Sequence, residues 1–165
     1  MAIRILVTGG TIDKEYNRLN GELTFTETHL PKMLEQVHST LEVRIESVLL
    51  VDSLFMRDED RLNVLERCRA SAEDRIVVTH GTDTMVETAA VLGKGLRGKT
   101  VVLVGAMIPF AFGNSDALFN LGCAITAVQL LAEGVYITMN GKIFTWDNVR
   151  KNRGVGLFEP LSSPT

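Results

Sequence analysis

Two segments of the chain put hydroxyls and glycines where an activated nucleophile could be built. Thr8-Gly9-Gly10-Thr11-Ile12-Asp13 follows the apolar run Ile3 to Val7, and His80-Gly81-Thr82-Asp83-Thr84-Met85 follows Ile76-Val77-Val78. A threonine hydroxyl attacks a carbonyl well only when a neighbouring group takes its proton and preorganised donors meet the developing oxyanion. Glycines beside it remove the Cβ that would hold the backbone away from a substrate. Thr11, behind Gly10, meets this description. Thr82 and Asp83, behind Gly81, add a second hydroxyl and a carboxylate able to orient a lysine ammonium or hold a substrate amino group. Spacing does not decide which threonine attacks first. Taken alone, the glycine-rich turn after the first strand is also compatible with a phosphate cradle, although the usual dinucleotide fingerprint is absent.

Such segments need elements that hold them. Runs at Ile3 to Val7, Val43 to Leu50, Arg75 to Thr79, Thr100 to Val104 and Val135 to Met139 alternate with helical patterns. This alternation predicts an α/β fold, a single domain over residues 1–165, with a doubly wound, mainly parallel sheet and helices on both faces. Both hydroxyl segments then fall at carboxyl ends of strands, where open α/β sheets form their ligand crevice. Helices are predicted at Glu27 to His38, from Asp58 with Leu62, Leu65 and Cys68 inward, from Thr82 or Asp83 to about Leu92, and from Ser115 to Leu131. The amino terminus of the third would turn its partial positive charge toward a bound carboxylate. The polar stretch 13–25, with its Asn20-Gly21 turn signal, reads as a lid, and the tail 159–165 as a segment that moves freely or reaches a partner.

Composition narrows the function classes. The chain has 165 residues, a net charge of −3, 45% hydrophobic and 22% charged residues, the profile of an ordinary globular protein. Arg57, Arg61, Arg67 and Arg69 are interleaved with Asp58, Glu59, Asp60 and Glu66, so no basic face for nucleic acid is expected. No apolar run approaches the ~20 residues of a membrane span, and the amino terminus lacks a signal-peptide pattern, which predicts a cytoplasmic protein without a membrane partner. Cys68 and Cys123 lack CxxC spacing, and His29, His38 and His80 lack ligand spacing, so neither metal nor cofactor is expected. His80, ending a buried strand, reads as a packed, hydrogen-bonded group with no general-base duty. By charge alone, Arg150-Lys151-Asn152-Arg153 reads as a solvated loop.

Together with Val104-Gly105-Ala106-Met107 and Pro109, the two hydroxyl segments resemble the signature motifs of the bacterial-type L-asparaginases, over nearly the whole chain. The resemblance implies a hydrolase that converts L-asparagine to L-aspartate and ammonia, with Thr11 matched to the nucleophile and Thr82 and Asp83 to the second motif. The family's lysine follows a strand ending in Met-Asn; here Met139-Asn140 leads to Lys151, which completes a Thr-Lys-Asp group. Asp52 and Ser53 are matched to the turn that grips substrate α-groups, Ser53 the α-carboxylate, while the next position, usually polar, is Leu54. Tyr16 is matched to the tyrosine of the lid, and the Ala106 backbone and the Asn114-Ser115-Asp116 turn are candidate substrate contacts. The length resembles that of the short, single-domain asparaginases, and the resemblance therefore implies a homodimer or homotetramer whose neighbouring subunits complete the site. It leaves open glutamine as substrate, an ammonia-supplying component of a tRNA-dependent amidotransferase, and a regulatory protein that binds an amino acid without turnover.

Overall fold

A computed structural model describes residues 1–162. Along the chain run β1 (Ile3–Gly9), β2 (Glu15–Tyr16), β3 (Leu23–Thr24), α1 (Leu30–Gln36), β4 (Val43–Val51), α2 (Asp58–Ala70) and β5 (Arg75–Thr79). After them come α3 (Met85–Gly95), β6 (Thr100–Val104), α4 (Ala117–Leu130), β7 (Gly134–Met139), β8 (Lys142–Thr145), β9 (Arg150–Asn152) and β10 (Leu157–Glu159). Six strands form one sheet in the order β4-β1-β5-β6-β7-β8, parallel except for β8, which returns antiparallel along β7.

Fully buried β-branched and leucine side chains dominate β5 and β6, as expected of strands covered on both faces. Alternate residues feed two separate cores. Leu6, Ile76, Val78 and Leu103 pack with Val64, Leu65, Met85 and Leu92 of α2 and α3. Ile5, Val7, Val77 and Val102 pack with Leu30 and Met33 of α1 and with Leu121, Ala124 and Val128 of α4. Two cores on opposite sheet faces are the doubly wound α/β arrangement predicted.

Strand order decides where a ligand belongs. Counting only the parallel strands, β1 lies between β4 and β5, so the chain winds away in opposite directions on its two sides. In this order the crevice opens beyond the carboxyl ends of β1 and β5. Those ends carry Thr8 to Asp13 and His80 to Met85.

Three local expectations need correction. Helix α1 spans only Leu30–Gln36, because the Thr28 hydroxyl and the His29 amide ahead of it are bonded to the Asp13 carboxylate and His38 behind it takes a φ of 51°. In α2 Leu65 and Cys68 face inward as expected, but Leu62 is 53% exposed and Arg61 and Val64 are buried in its stead. The Arg61 guanidinium donates to the Met56 carbonyl at 3.3 Å, which lets a charged residue occupy that stripe. Helix α3 opens at Met85, after Thr82 and Asp83, for a reason that belongs to the site.

Cys68 is buried and Cys123 half-buried, both as free thiols in helices. Burial pushes the Cys68 thiol up to about 12, which makes it unreactive. No described helix is long and apolar enough to cross a membrane, and no group of acidic, histidine or cysteine side chains among the described residues could hold a metal ion. Pro164 and the other residues of 163–165, part of the predicted tail, lie outside the described residues.

Candidate active site

The crevice is assembled by backbone contact. Gly10 has φ +80°, and a Cβ placed there would lie 2.3 Å from the Gly81 nitrogen, so only glycine lets the two turns touch. A Cβ on Gly81 would in turn lie 2.5 Å from Ser53 Oγ. The Gly10 amide donates to the Val51 carbonyl at 3.0 Å, which joins the first turn to the end of β4. Gly10, Gly81 and Ser53 thus bring three distant segments together, with Thr11 and Thr82 one residue beyond the glycines.

Lys151 arrives from a different direction. It sits on β9, opposite Phe158 of β10, and the buried Phe158 and Val149 anchor this hairpin in the core. Cross-strand partners share a face, so Phe158 and Lys151 both point inward. Arg150 pairs with Glu159 at 2.7 Å across the outer face and fixes the register. The Lys151 ammonium, 12% exposed, donates to Thr82 Oγ1 at 2.8 Å and to Asp83 Oδ1 at 2.7 Å. The solvated-loop reading of this stretch is therefore wrong for Lys151, whereas Arg150 is indeed exposed.

Helix α3 starts late because the residues ahead of it are committed elsewhere. Thr84 donates its hydroxyl to the Ser53 carbonyl at 2.8 Å and its amide to Ser53 Oγ at 3.3 Å. Thr82 and Asp83 are occupied with Lys151. A helix opening at Thr82 would withdraw all three.

His80 is fully buried behind this turn. Its Nδ1 lies 2.7 Å from the Gly81 carbonyl, which only accepts, so Nδ1 carries the proton and Nε2 accepts from the Thr88 hydroxyl at 2.7 Å. Burial pushes the imidazole down to about 4 against the Gly81 hydrogen bond, with the Arg61 charge adding to the fall. A histidine held neutral in this way braces the Gly81–Thr82 peptide, the packed role expected from sequence.

This arrangement has a consequence for stability. The folded protein keeps His80 neutral down to about pH 4, whereas the unfolded chain takes up a proton below the ordinary 6.5. The full contribution is present above pH 6.5 and is lost as pH falls from 6.5 toward 4, by about 3 kcal/mol. Urea midpoints measured across this range should fall in the native protein and fall less in His80→Gln. Glu73, held down to about 2 by Ser71 and by Arg4, acts in the separate range below 4.5.

Ala106 is buried in the core at the end of β6, and a Cβ on the preceding Gly105 would lie 2.5 Å from the His80 carbonyl, so its backbone adjoins the second motif. Asp52 precedes Ser53 and accepts from the Leu54 amide at 3.0 Å, and Lys14 donates to its other oxygen. Burial raises its carboxyl, but hydrogen bonds from Lys14 and Leu54 and the charges of Lys14 and Lys151 outweigh this and hold it below the usual range. Stretch 13–25 does contain a hairpin, β2 against β3, with Gly21 at φ +75° in its turn. Tyr16 is 57% exposed on it, with its hydroxyl beside Gly21, and is not joined to the Thr82-Asp83-Lys151 group.

Two residues with a positioning role escape the sequence reading. Asn120 donates to the Gly105 carbonyl at 3.0 Å and accepts from the Asn140 amide at 3.1 Å, tying the ends of β6 and β7. Its place among Ala117, Leu121 and Ala124 on the inward stripe is the signal that could have found it. Asp13, fully buried, accepts from the His29 amide at 2.8 Å and from the Thr28 hydroxyl at 3.1 Å. The carboxylate of Asp116 is engaged by the Met107 and Ile108 amides at 3.0 Å, which makes that turn a brace for the third motif.

Comparison with known proteins decides the family. The family model described as "Asparaginase, N-terminal" matches residues 2–159. The chain belongs to the asparaginase family. It is 28% identical over 171 residues to an L-asparaginase of Thermococcus kodakarensis, covering 99% of this chain and 52% of the relative. The solved structure of the thermostable enzyme from that organism superposes with a TM-score of 0.87 at 29% identity, covering 99% of this chain and 52% of the other. A component of the glutamyl-tRNA(Gln) amidotransferase of the same organism is 34% identical over 148 residues, covering 86% of this chain and 34% of the relative. The chain spans about half the length, or less, of these relatives. Family membership agrees with the resemblance read from Thr8 to Asp13, His80 to Met85 and Val104 to Met107.

Proposed function

We propose that the chain is an amidohydrolase that cleaves the side-chain amide of L-asparagine to L-aspartate and ammonia through a threonine nucleophile. The observation that carries this reading is the Lys151 ammonium bonded at once to Thr82 and Asp83 beside the Gly10–Gly81 contact. Thr11 Oγ attacks the amide carbon, its proton passes to the leaving nitrogen, and ammonia departs from an aspartyl ester on Thr11. Water then hydrolyses the ester. The Lys151 ammonium, with its charge balanced by Asp83, orients the Thr82 hydroxyl and gives a proton to the leaving nitrogen, and the proton released by Thr11 replaces it. Ser53 receives the α-carboxylate, and the hairpin of residues 13–25, Tyr16 included, acts as a lid over the crevice.

No cofactor enters the scheme. We also propose a homodimer or homotetramer. The groove between α4 and β8, about 700 Å³ and lined by Phe119, Leu130 and Ile143, is an apolar surface that self-association would bury. Native mass measurement of the active species tests this, and an active monomer would end it.

The test of function is ammonia release from L-asparagine and from L-glutamine by the purified protein. Asparagine should be turned over at least about tenfold more efficiently, since one extra methylene changes recognition by about 1–3 kcal/mol. Leu54 and the identity to the amidotransferase component favour one second reading, ammonia supply to a partner enzyme. A rate that rises only when such a partner is added would replace the first reading by the second.

A further inference from the structure

Lys14 and Asp52 form a charge pair in a position that the proposed scheme does not use. Lys14 is the first residue of the lid stretch after the turn that carries Thr11, and its amide donates to the Thr11 carbonyl at 3.2 Å. Its ammonium crosses to Asp52, on the turn that carries Ser53, with the two side chains 17% and 23% exposed. Asp52 also feels the charge of Lys151. A carboxylate immediately before Ser53 is a liability if Ser53 receives the carboxylate of a substrate, because two like charges in one crevice repel. Lys14 removes that liability, and it does so from the lid, so the lid and the substrate grip are electrostatically joined.

The lid is tied down at its other end as well. The Asp13 carboxylate accepts from Thr28 and His29, so both ends of the 14–28 excursion are fastened around the turn that holds Thr11. Its far part is a short exposed hairpin with few contacts to the core, the kind of segment that opens locally at low cost. Of the two fastenings, only the Lys14 one reaches the side of the crevice where a substrate α-carboxylate would sit.

We propose that Lys14 is a positioning and specificity residue: by neutralising Asp52 from the base of the lid, it permits Ser53 to bind the α-carboxylate of an amino-acid substrate. The proposal rests on the amino-acid amide reading above. It assigns the selectivity for a free α-carboxylate partly to a lid residue, and it makes that selectivity depend on a pair rather than on one group.

The experiment compares single and double variants of the full chain with two substrates, L-asparagine and 3-aminopropanamide, which lacks the α-carboxylate. Lys14→Met should raise KM for asparagine about tenfold with kcat changed by less than about threefold, as one uncompensated charge at crevice distance implies. Lys14→Arg, which keeps the charge, should stay near the unaltered protein. Lys14→Met/Asp52→Asn should bring KM back to within about threefold, since the repelling charge is then gone, and KM for 3-aminopropanamide, a cation, should not rise in any variant. A purely structural latch would leave the double variant as impaired as the single one, and that result, or an unchanged KM in Lys14→Met, overturns the proposal while turnover by the unaltered protein sustains the hydrolase reading. If the unaltered protein releases no ammonia from asparagine, the hydrolase reading fails and takes this proposal with it, whether or not L-aspartate binds in calorimetry.

Discussion

Thr11→Val is expected to lower ammonia release from L-asparagine by at least about 10³-fold, roughly 4 kcal/mol of transition-state stabilisation. Valine keeps the branched shape and deletes only the hydroxyl proposed to attack. The cost to folding should be small, within about 0.5 kcal/mol, since Thr11 is half-buried in a short turn held by backbone hydrogen bonds from Asp13 to Gly10 and from Lys14 to Thr11. A loss of activity without loss of unfolding midpoint is thus the signature of a removed nucleophile. Thr11→Ser should retain a substantial part of the rate, because it restores the hydroxyl. Mass analysis of rapidly quenched reactions settles which threonine is acylated: an aspartyl adduct on the peptide containing Thr11 is expected, and one on the peptide containing Thr82 would reverse the two roles.

How far the site is legible in the sequence depends on what holds each residue in place. Gly10, Thr11, Gly81, Thr82 and Asp83 are legible because short β-branched strands with near-continuous burial mark their own ends, and β5 and β6 begin and end where the apolar runs do. Doubly wound topology then brings those ends together without further information. The start of α3 lies two or three residues later than local pattern suggests, because Thr82 to Thr84 look like helix caps while their hydrogen-bonding groups are taken by Lys151 and Ser53, partners distant in sequence. Apolar character points Leu62 inward, yet one stripe over, Arg61 reaches the Met56 carbonyl and takes the buried place. Strands β8, β9 and β10 carry little local signal, being three or four residues long and polar on one face. What makes the last two a hairpin is tertiary: Val149 and Phe158 enter the core formed by α2, α3 and the sheet. The Lys14–Asp52 pair is invisible for the same reason, since neither residue has a pattern that points to the other.

Lys151→Met should reduce ammonia release by about 10²–10⁴-fold, the range for removing a positioned proton-transfer group. Methionine preserves the apolar stem that lies beside Phe158, so the β9–β10 hairpin should survive, with Arg150 and Glu159 still paired across its outer face. What disappears is the link from Thr82 to Asp83. Asp83, 34% exposed at its side chain, is then left without its cation, and Thr82 without the donor that orients its hydroxyl. Two consequences separate this variant from Thr11→Val. The Asp83 charge is exposed enough for water to solvate it, so the stability loss should be modest, about 1 kcal/mol or less. The kinetic loss should fall on kcat more than on KM, because Ser53, the proposed grip on the substrate, is held by Thr84 and not by Lys151. Exogenous small amines should restore part of the rate in Lys151→Met and none in Thr11→Val, because an amine from solution can carry a proton but cannot replace a tethered hydroxyl. Equal rescue of both variants, or a Lys151→Met protein with undiminished kcat, would remove Lys151 from the proton path and leave it as a structural tie between β9 and the start of α3.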